Sequence, residues 1–434
     1  MDHFAYQQGR IYCEDLALDD LARAVGTPAY VYSLATVRHH VQALQEGFAA
    51  LDPLICYAVK ANGNLALLRH LHGMGVGFDL VSGGELNRVL VAGADPRRIV
   101  FSGVGKTREE MRAALDIDVL MFNVESQAEV DLLAEVAAGL SKTAGVAIRV
   151  NPDVDPGTHR YISTGQRATK FGVDLEEGAA LAARVANDPH LELRGIQCHI
   201  GSQITSVDPY VAAVKRIVEL AVALRARFPT LKNIDIGGGF GIWYRDRSAP
   251  SIAEYAEALV PLIQPSGLRL VMEPGRLIVG NAGVLLTRVL FNKRAGDRRF
   301  VIVDAGMNDL IRPSLYEGYH RIWPVTGPPP PPLGDESDAE TCHIVGPVCE
   351  TGDFLAKDRP LPPVAPGDTL AVFSAGAYGF VLASNYNDRC RPPEVLVDGG
   401  RYSIVRVRES HADLLRYDRP DAPFQALPGA GAAT

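Results

Sequence analysis

Hydrophobic and polar positions fall into two textures along this chain. From residue 54 to residue 275, short apolar runs alternate with longer segments of helical spacing, and the pattern occurs eight times. The runs are 55–60, 77–82, 98–103, 119–124, 146–152, 193–201, 233–239 and 269–275, each of strand length. Between them lie helix candidates such as 209–228 and 125–140, the latter with Val130, Leu133, Ala134, Val136 and Ala137 on one face. Eight β/α units in succession predict a (β/α)8 TIM barrel, an α/β fold, rather than a doubly wound sheet. After Gly283 the texture becomes strand-like runs with no long helix: 284–291, 300–304, 343–349, 370–373, 394–397 and 404–407. These predict a C-terminal domain resembling a β-sandwich or β-barrel.

The expected organisation is an N-terminal segment 1–33 joining the β domain, a barrel at 34–283, the β domain at 284–418 and a disordered tail at 419–434. A proline run at 328–332, followed by acidic residues, reads as an exposed loop of polyproline character.

Composition narrows the function. With 43 Lys and Arg against 51 Asp and Glu, the net charge of −8 argues against a nucleic-acid partner. No stretch of 18 apolar residues occurs, and the N-terminus has neither a basic nor an apolar leader-like region, so a cytoplasmic protein without membrane contact is expected. Six cysteines in so long a chain, with no Cys-x-x-Cys pair, do not read as a disulfide framework.

Polar residues punctuate the apolar runs at their C-terminal ends: Lys60, Asp79, Ser82, Asn151, His199, Gly237 to Gly239 and Glu273. That end of a barrel carries the chemistry. A Lys closing a buried strand can have its pKa lowered by desolvation, which makes its amine a nucleophile able to form a Schiff base. An imidazole at position 199 could stack on a flat cofactor ring. A carboxylate at position 273 could pair with Arg276 or hold a pyridine nitrogen protonated. Gly237-Gly238-Gly239, after the seventh run, is either a tight turn or a phosphate loop. Gly103-Val104-Gly105-Lys106-Thr107 imitates the end of a P-loop but lacks its first glycine, because residue 100 is Val, so no nucleoside triphosphate site is expected. Cys349, beside Glu350 in a glycine-flanked stretch, is either a structural thiol or part of a site.

Six motifs occur in a telling order: Tyr57-Ala58-Val59-Lys60-Ala61-Asn62, His199-Ile200-Gly201-Ser202, Gly237-Gly238-Gly239, Glu273-Pro274-Gly275-Arg276, Arg312-Pro313-Ser314-Leu315-Tyr316, and Gly346 through Asp353 with Cys349-Glu350-Thr351 inside it. In these the chain resembles the pyridoxal phosphate decarboxylases with an alanine-racemase-like barrel, and within them the branch acting on diaminopimelate. The resemblance runs from about Ala29 to Val407. It implies pyridoxal 5'-phosphate as cofactor, carried by Lys60, with His199 on the ring face and Glu273 at the ring nitrogen. The cofactor-binding set it implies is Lys60, Asp79, His199, Ser202, Gly238, Gly239, Glu273, Pro274, Gly275, Arg276 and Tyr378. Arg276, Arg312, Tyr316, Tyr378 and Glu350 are implied to hold an amino-acid substrate. No metal is expected. The resemblance also implies a homodimer with shared sites, in which Cys349 and Glu350 of one subunit complete the other's site and Cys349 protonates the product carbon.

Chemistry ranks the members. A carboxylate at position 273 suits a decarboxylase, which needs a full electron sink, better than a racemase. A substrate with a carboxylate at its far end suits Arg312 and Tyr316. The expected reaction is therefore decarboxylation of meso-diaminopimelate to L-lysine. The rivals are a decarboxylase of ornithine, arginine or carboxynorspermidine, which would need an acidic pocket, and a catalytically silent homologue.

Overall fold

A polar side chain caps nearly every helix that follows a strand in the repeating half. Asn64, Ser82, Thr107, Ser126, Asp174 and Ser251 each accept a hydrogen bond from the first turn of the helix they precede. Thr107 with Glu110, and Ser251 with Glu254, do so reciprocally. Each cap stops a strand and starts a helix at a fixed residue, which sets where the strand ends, and hence its functional side chains, must lie.

The computed structural model describes residues 2–155, 170–245, 249–330 and 340–425. Eight parallel strands close into a barrel: Leu54–Ala58, Gly77–Leu80, Ile99–Phe101, Met121–Val124, Ala144–Arg149, Leu191–Gln197, Asn233–Asp235 and Arg269–Met272. Closure comes from pairing Val271 with Leu54 and Met272 with Ile55. The strands are shorter than the apolar runs, because in seven of the eight the last residues of the run turn out of the sheet toward the barrel mouth. Helices Gln127–Gly139 and Asp208–Arg225 take the places expected at 125–140 and 209–228.

The second domain is one nine-stranded sheet organised on the long strand Gly283–Ala295. Its first half pairs with Ala29–Ser33 and Thr369–Val372, and its second half with Arg298–Val303, with a register shift between Val289 and Phe291. Two strands escape the sequence pattern. Ile322–Pro324 is only three residues long, and Phe354–Pro360 is an outer strand whose Lys357 and Asp358 are exposed. Ahead of Ala29, strands Phe4–Gln7, Arg10–Cys13 and Leu16–Ala17 form a small antiparallel sheet of their own. Pro328 and Pro329 are exposed, whereas Pro331 and Pro332 lie outside the described residues. The tail expected to be disordered is described only to residue 425, and its described part is exposed and without helix or strand.

Segment 374–380 of the β domain is wedged against the barrel beside Lys60. The Tyr378 N–H donates to the Ala61 carbonyl at 2.8 Å, and the Asn62 amide donates to the Gly376 carbonyl at 3.1 Å. A Cβ on Gly376 would sit 1.9 Å from the Val279 carbonyl oxygen, so only glycine allows this approach. Gly376→Ala is expected to cost roughly 1–3 kcal/mol by overpacking. A thermal scan checks it, and an unchanged midpoint would mean that this contact does not hold the two domains together.

Candidate active site

Lys60 lies in a single 3-10 turn, Val59–Ala61, directly after the first barrel strand. Its side chain keeps 37% exposure, and its Nζ donates to Asp79 Oδ2 at 2.9 Å, Asp79 being wholly buried on the second strand. Here the structure corrects the sequence expectation. Burial does pull the ammonium pKa down, but the Asp79 charge, Tyr378, Glu273 and the hydrogen bond to Asp79 more than offset it, and the pKa is raised. Lys60 is therefore a held ammonium in the cofactor-free protein rather than a free amine.

Inside the barrel, alternate strands supply layers of side chains. The second, fourth, sixth and eighth strands contribute Asp79, Asn123, Gln197 and, just past the strand end, Glu273, all buried. Asn123 Nδ2 donates to Glu273 Oε1 at 2.8 Å, and Gln197 Nε2 lies 3.3 Å from Oε2. Burial raises the Glu273 pKa well above the carboxylate range, and the charges of Asp235 and Asp79 add to this. Among the described residues no ion pair joins Glu273 to Arg276, which bonds Tyr244 and Ser202 instead; the ion-pair alternative for Glu273 fails.

His199 follows the sixth strand, its Nδ1 accepting from the Gly238 N–H at 3.3 Å. Burial, then the nearby charges of Arg149 and Lys60, hold its pKa well below normal, so the ring is neutral with its proton on Nε2. Cβ atoms on Gly238 and Gly239 would fall 2.2 Å and 2.1 Å from the carbonyl oxygens of Glu273 and Gly201. Gly239 also has φ +99°, so this stretch cannot carry side chains and leaves bare backbone at the mouth. Lys60, His199, Ser202, Gly238, Gly239, Glu273, Gly275, Arg276 and Tyr378 all line one small cavity there. Pyridoxal phosphate fits this donor set: an amine for its aldehyde, a neutral imidazole for its ring face, a buried carboxyl for its nitrogen, and Arg276, Ser202 and the glycine backbone for its phosphate.

A larger cavity of about 360 Å³ opens beside it, lined by His199, Ser202, Gln203, Tyr244, Arg276, Arg312, Tyr316, Gly318, Tyr319 and Tyr378. Arg276 donates to the Tyr244 hydroxyl at 2.5 Å and to Ser202 Oγ at 3.1 Å, and lies 4.7 Å from the Tyr378 ring centroid. Arg312 lies 4.6 Å from the Tyr244 ring centroid and bonds His320 Nε2 at 2.7 Å. His320 Nδ1 is 2.8 Å from the Phe373 carbonyl, which fixes the proton on Nδ1 and leaves Nε2 to accept from Arg312. Both guanidiniums are buried, and among the described residues neither has a carboxylate partner; Arg276 Nε has no partner at all.

The sequence reading missed Tyr244, His320, Asn123, Gln197 and Asp235. Tyr244 follows the glycine stretch by only a few residues, and an aromatic at that spacing was the available signal. Cys349 and Glu350 line neither cavity. They sit exposed on a turn of the β domain, with the Cys349 N–H bonded to Asn387 Oδ1 at 2.8 Å. Lys106, from the truncated P-loop pattern, is buried against Glu129 and donates to the carbonyls of Gly103 and Asn123 at 2.7 and 2.6 Å, a structural role.

A barrel with a lysine, a neutral histidine and a buried glutamate at its mouth, backed by a sheet domain, defines a pyridoxal phosphate-dependent decarboxylase. The family described as "Pyridoxal-dependent decarboxylase, pyridoxal binding domain" matches residues 34–280. The diaminopimelate decarboxylase of Neisseria meningitidis serogroup A is 50% identical over 400 residues, covering 92% of this chain and 97% of that relative. That of Pseudomonas aeruginosa is 49% identical over 414 residues, covering 95% and 98%. The crystal structure of the Helicobacter pylori diaminopimelate decarboxylase complexed with L-lysine superposes with a TM-score of 0.87 at 38% identity, covering 92% and 98%. The chain belongs to the diaminopimelate decarboxylase family.

Burial alone would raise the Tyr244 phenol, but the charges of Arg276 and Arg312 and the bond from Arg276 bring it below its ordinary value. Ultraviolet titration of the protein should show one tyrosine ionising before the bulk, and Tyr244→Phe should abolish that early step. An unchanged titration curve would refute the placement of Tyr244 between the two arginines.

Proposed function

We propose that this chain decarboxylates meso-diaminopimelate, releasing carbon dioxide and L-lysine, with pyridoxal phosphate as cofactor. One observation carries the choice of substrate: among the described residues the larger cavity is lined by two arginines and no acidic side chain. Two buried guanidiniums without carboxylate partners call for two anions. The cofactor's phosphate is one, and a carboxylate at the far end of the substrate is the other. Ornithine and arginine end in cations, which this wall would repel. Glu273 at the barrel mouth weighs against a racemase, and Lys60 and Glu273 in one cavity weigh against a silent homologue.

When bound, pyridoxal phosphate supplies the electron sink for the pair left by the departing carboxylate. Lys60 holds the cofactor between turnovers, with Asp79 keeping its amine in place. Glu273 holds a proton at the ring nitrogen, steadied by Asn123 and Gln197. His199, neutral, covers a ring face without competing for that proton. Arg312, steered by His320, grips the distal carboxylate with Tyr316, and Arg276 spans the cavity between Ser202 and Tyr378.

Glu350 and the proton donor Cys349 are exposed and away from both cavities, which favours a homodimer in which a second copy delivers them. Their exposure on a turn of the β domain is what such delivery requires. All six cysteines are unpaired, which suits a reducing cytoplasm.

Purified protein supplied with pyridoxal phosphate should release carbon dioxide from meso-diaminopimelate with lysine in equal amount, and not from ornithine, arginine or carboxynorspermidine. Release from one of those instead would overturn the pocket argument. Cys349→Ala should keep the cofactor's visible absorption and lose roughly 100-fold or more in turnover, the usual worth of a positioned acid. Mixing it with an inactive Lys60→Ala chain should restore part of the activity through hybrid dimers, and no restoration would argue against sharing.

A further inference from the structure

Beneath the layer that holds Glu273 lies a second one, supplied by the first, third, fifth and seventh strands: Cys56, Val100, Ala147 and Asp235. The first three belong to the barrel's small apolar interior cluster with Leu54, Met121 and Val271. Asp235 is the exception, a carboxylate with no exposed surface, level with Gln197 and Val271 in the strand pairing. Its Oδ1 accepts from the Gly237 N–H at 2.8 Å; the side chains of Glu273 and Asn123 lie within hydrogen-bonding reach of the carboxyl, but among the described residues no N–H or O–H completes a bond to its Oδ2. Asp79 Oδ1, Asn123 Oδ1 and Gln197 Oε1 are likewise buried acceptors without a donor. The barrel interior is thus short of protons, and a buried carboxylate without a donor is costly unless something offsets it.

We propose that Asp235 is a positioning residue for the ring-nitrogen contact: it shares one proton with Glu273 in the cofactor-free protein and releases it to the ring nitrogen when the cofactor binds. This rests on the reading of the mouth as a pyridoxal phosphate site. The balance is a single proton transfer, in which a carboxyl O–H breaks, a ring N–H forms and the carboxyl pair is left with both charges. The Asp235 charge then faces the pyridinium through Glu273 and keeps the ring proton bound.

Burial raises the pKa of both carboxyls; for Glu273 the charge of Asp235 adds to this, and the charge of Asp79 reaches both. The other titratable and charged groups facing Asp235 are the thiols of Cys56 and Cys198, with Lys60 and Arg149 beyond them. A carboxyl whose folded pKa is raised binds its proton where the unfolded chain has lost it. The pair's contribution to the stability of the cofactor-free protein is therefore fully present below roughly pH 4 and falls as pH rises above it.

Asp235→Asn keeps the shape and the acceptor for Gly237, and tests the proposal on the full-length chain with and without pyridoxal phosphate. Without cofactor, the variant should be more stable than the wild type at neutral pH and show a shallower fall of stability with pH. With 15N-labelled pyridoxal phosphate bound, NMR should show the ring nitrogen losing its proton about one pH unit or more lower than in the wild type, a tenfold weaker hold. An unchanged ring-nitrogen pKa would overturn the proposal, as would a variant destabilised at every pH, which is the mark of a merely structural aspartate. Should the variant fail to fold, infrared spectra of the wild type decide. A buried carboxylic-acid band at neutral pH that disappears on cofactor binding supports the shared proton, and its absence overturns it. A wild type that binds no pyridoxal phosphate would instead sink the proposed function, and this inference with it.

Discussion

Charge separation across the barrel mouth is the constraint on which the rest of the molecule turns. Carboxylates collect on the inside, at Asp79, Asp235 and Glu273; guanidiniums collect in the adjoining cavity, at Arg276 and Arg312; Lys60 stands between them. All but the half-buried Lys60 are buried, and such charges are tolerable only when something of opposite sign completes them. The fold supplies that completion for Lys60, through Asp79. For Glu273, Asp235 and the two arginines it leaves the completion to ligands, so the arrangement is more a template for a dipolar pair of molecules than a self-sufficient network.

The neutral side chains beside this field are what make it selective. His199, half-buried, and His320, buried, both have depressed pKa values, and the proton position on each is fixed by a backbone partner. A charged imidazole in either place would add a third cation to the cavity wall and blur the division between acidic floor and basic side. Tyr244 goes the other way: its phenol oxygen accepts the hydrogen bond that a carboxylate would otherwise accept, so Arg276 is oriented without being neutralised.

Much of this was legible in the sequence because a strand end is a conspicuous place for a polar residue. Lys60, His199 and Glu273 each interrupt an apolar run, and the eight runs predict the barrel that brings them together. Gln197 and Asp235 were hidden for the opposite reason. Barrel strands are covered by helices outside and packed inside, so both faces read as apolar, and a polar residue within a run carries no mark of which side it faces. Tyr244, His320 and Asn123 depend on packing between distant segments, which periodicity cannot express. The pKa of Lys60 was read with the wrong sign because desolvation was visible from the sequence and the proximity of Asp79, 19 residues away, was not.

Tyr378 has φ +54°, a left-handed conformation uncommon for an aromatic residue, and its N–H is bonded to the residue after Lys60. The strained residue thus joins the sheet domain to the lysine that holds the cofactor, while its ring lies against Arg276 in the substrate cavity. Cofactor occupancy and interdomain docking then become linked equilibria: ligand that binds only the docked form stabilises docking by RT ln(1 + [L]/Kd). A chain short of cofactor would then be less firmly docked as well as inactive.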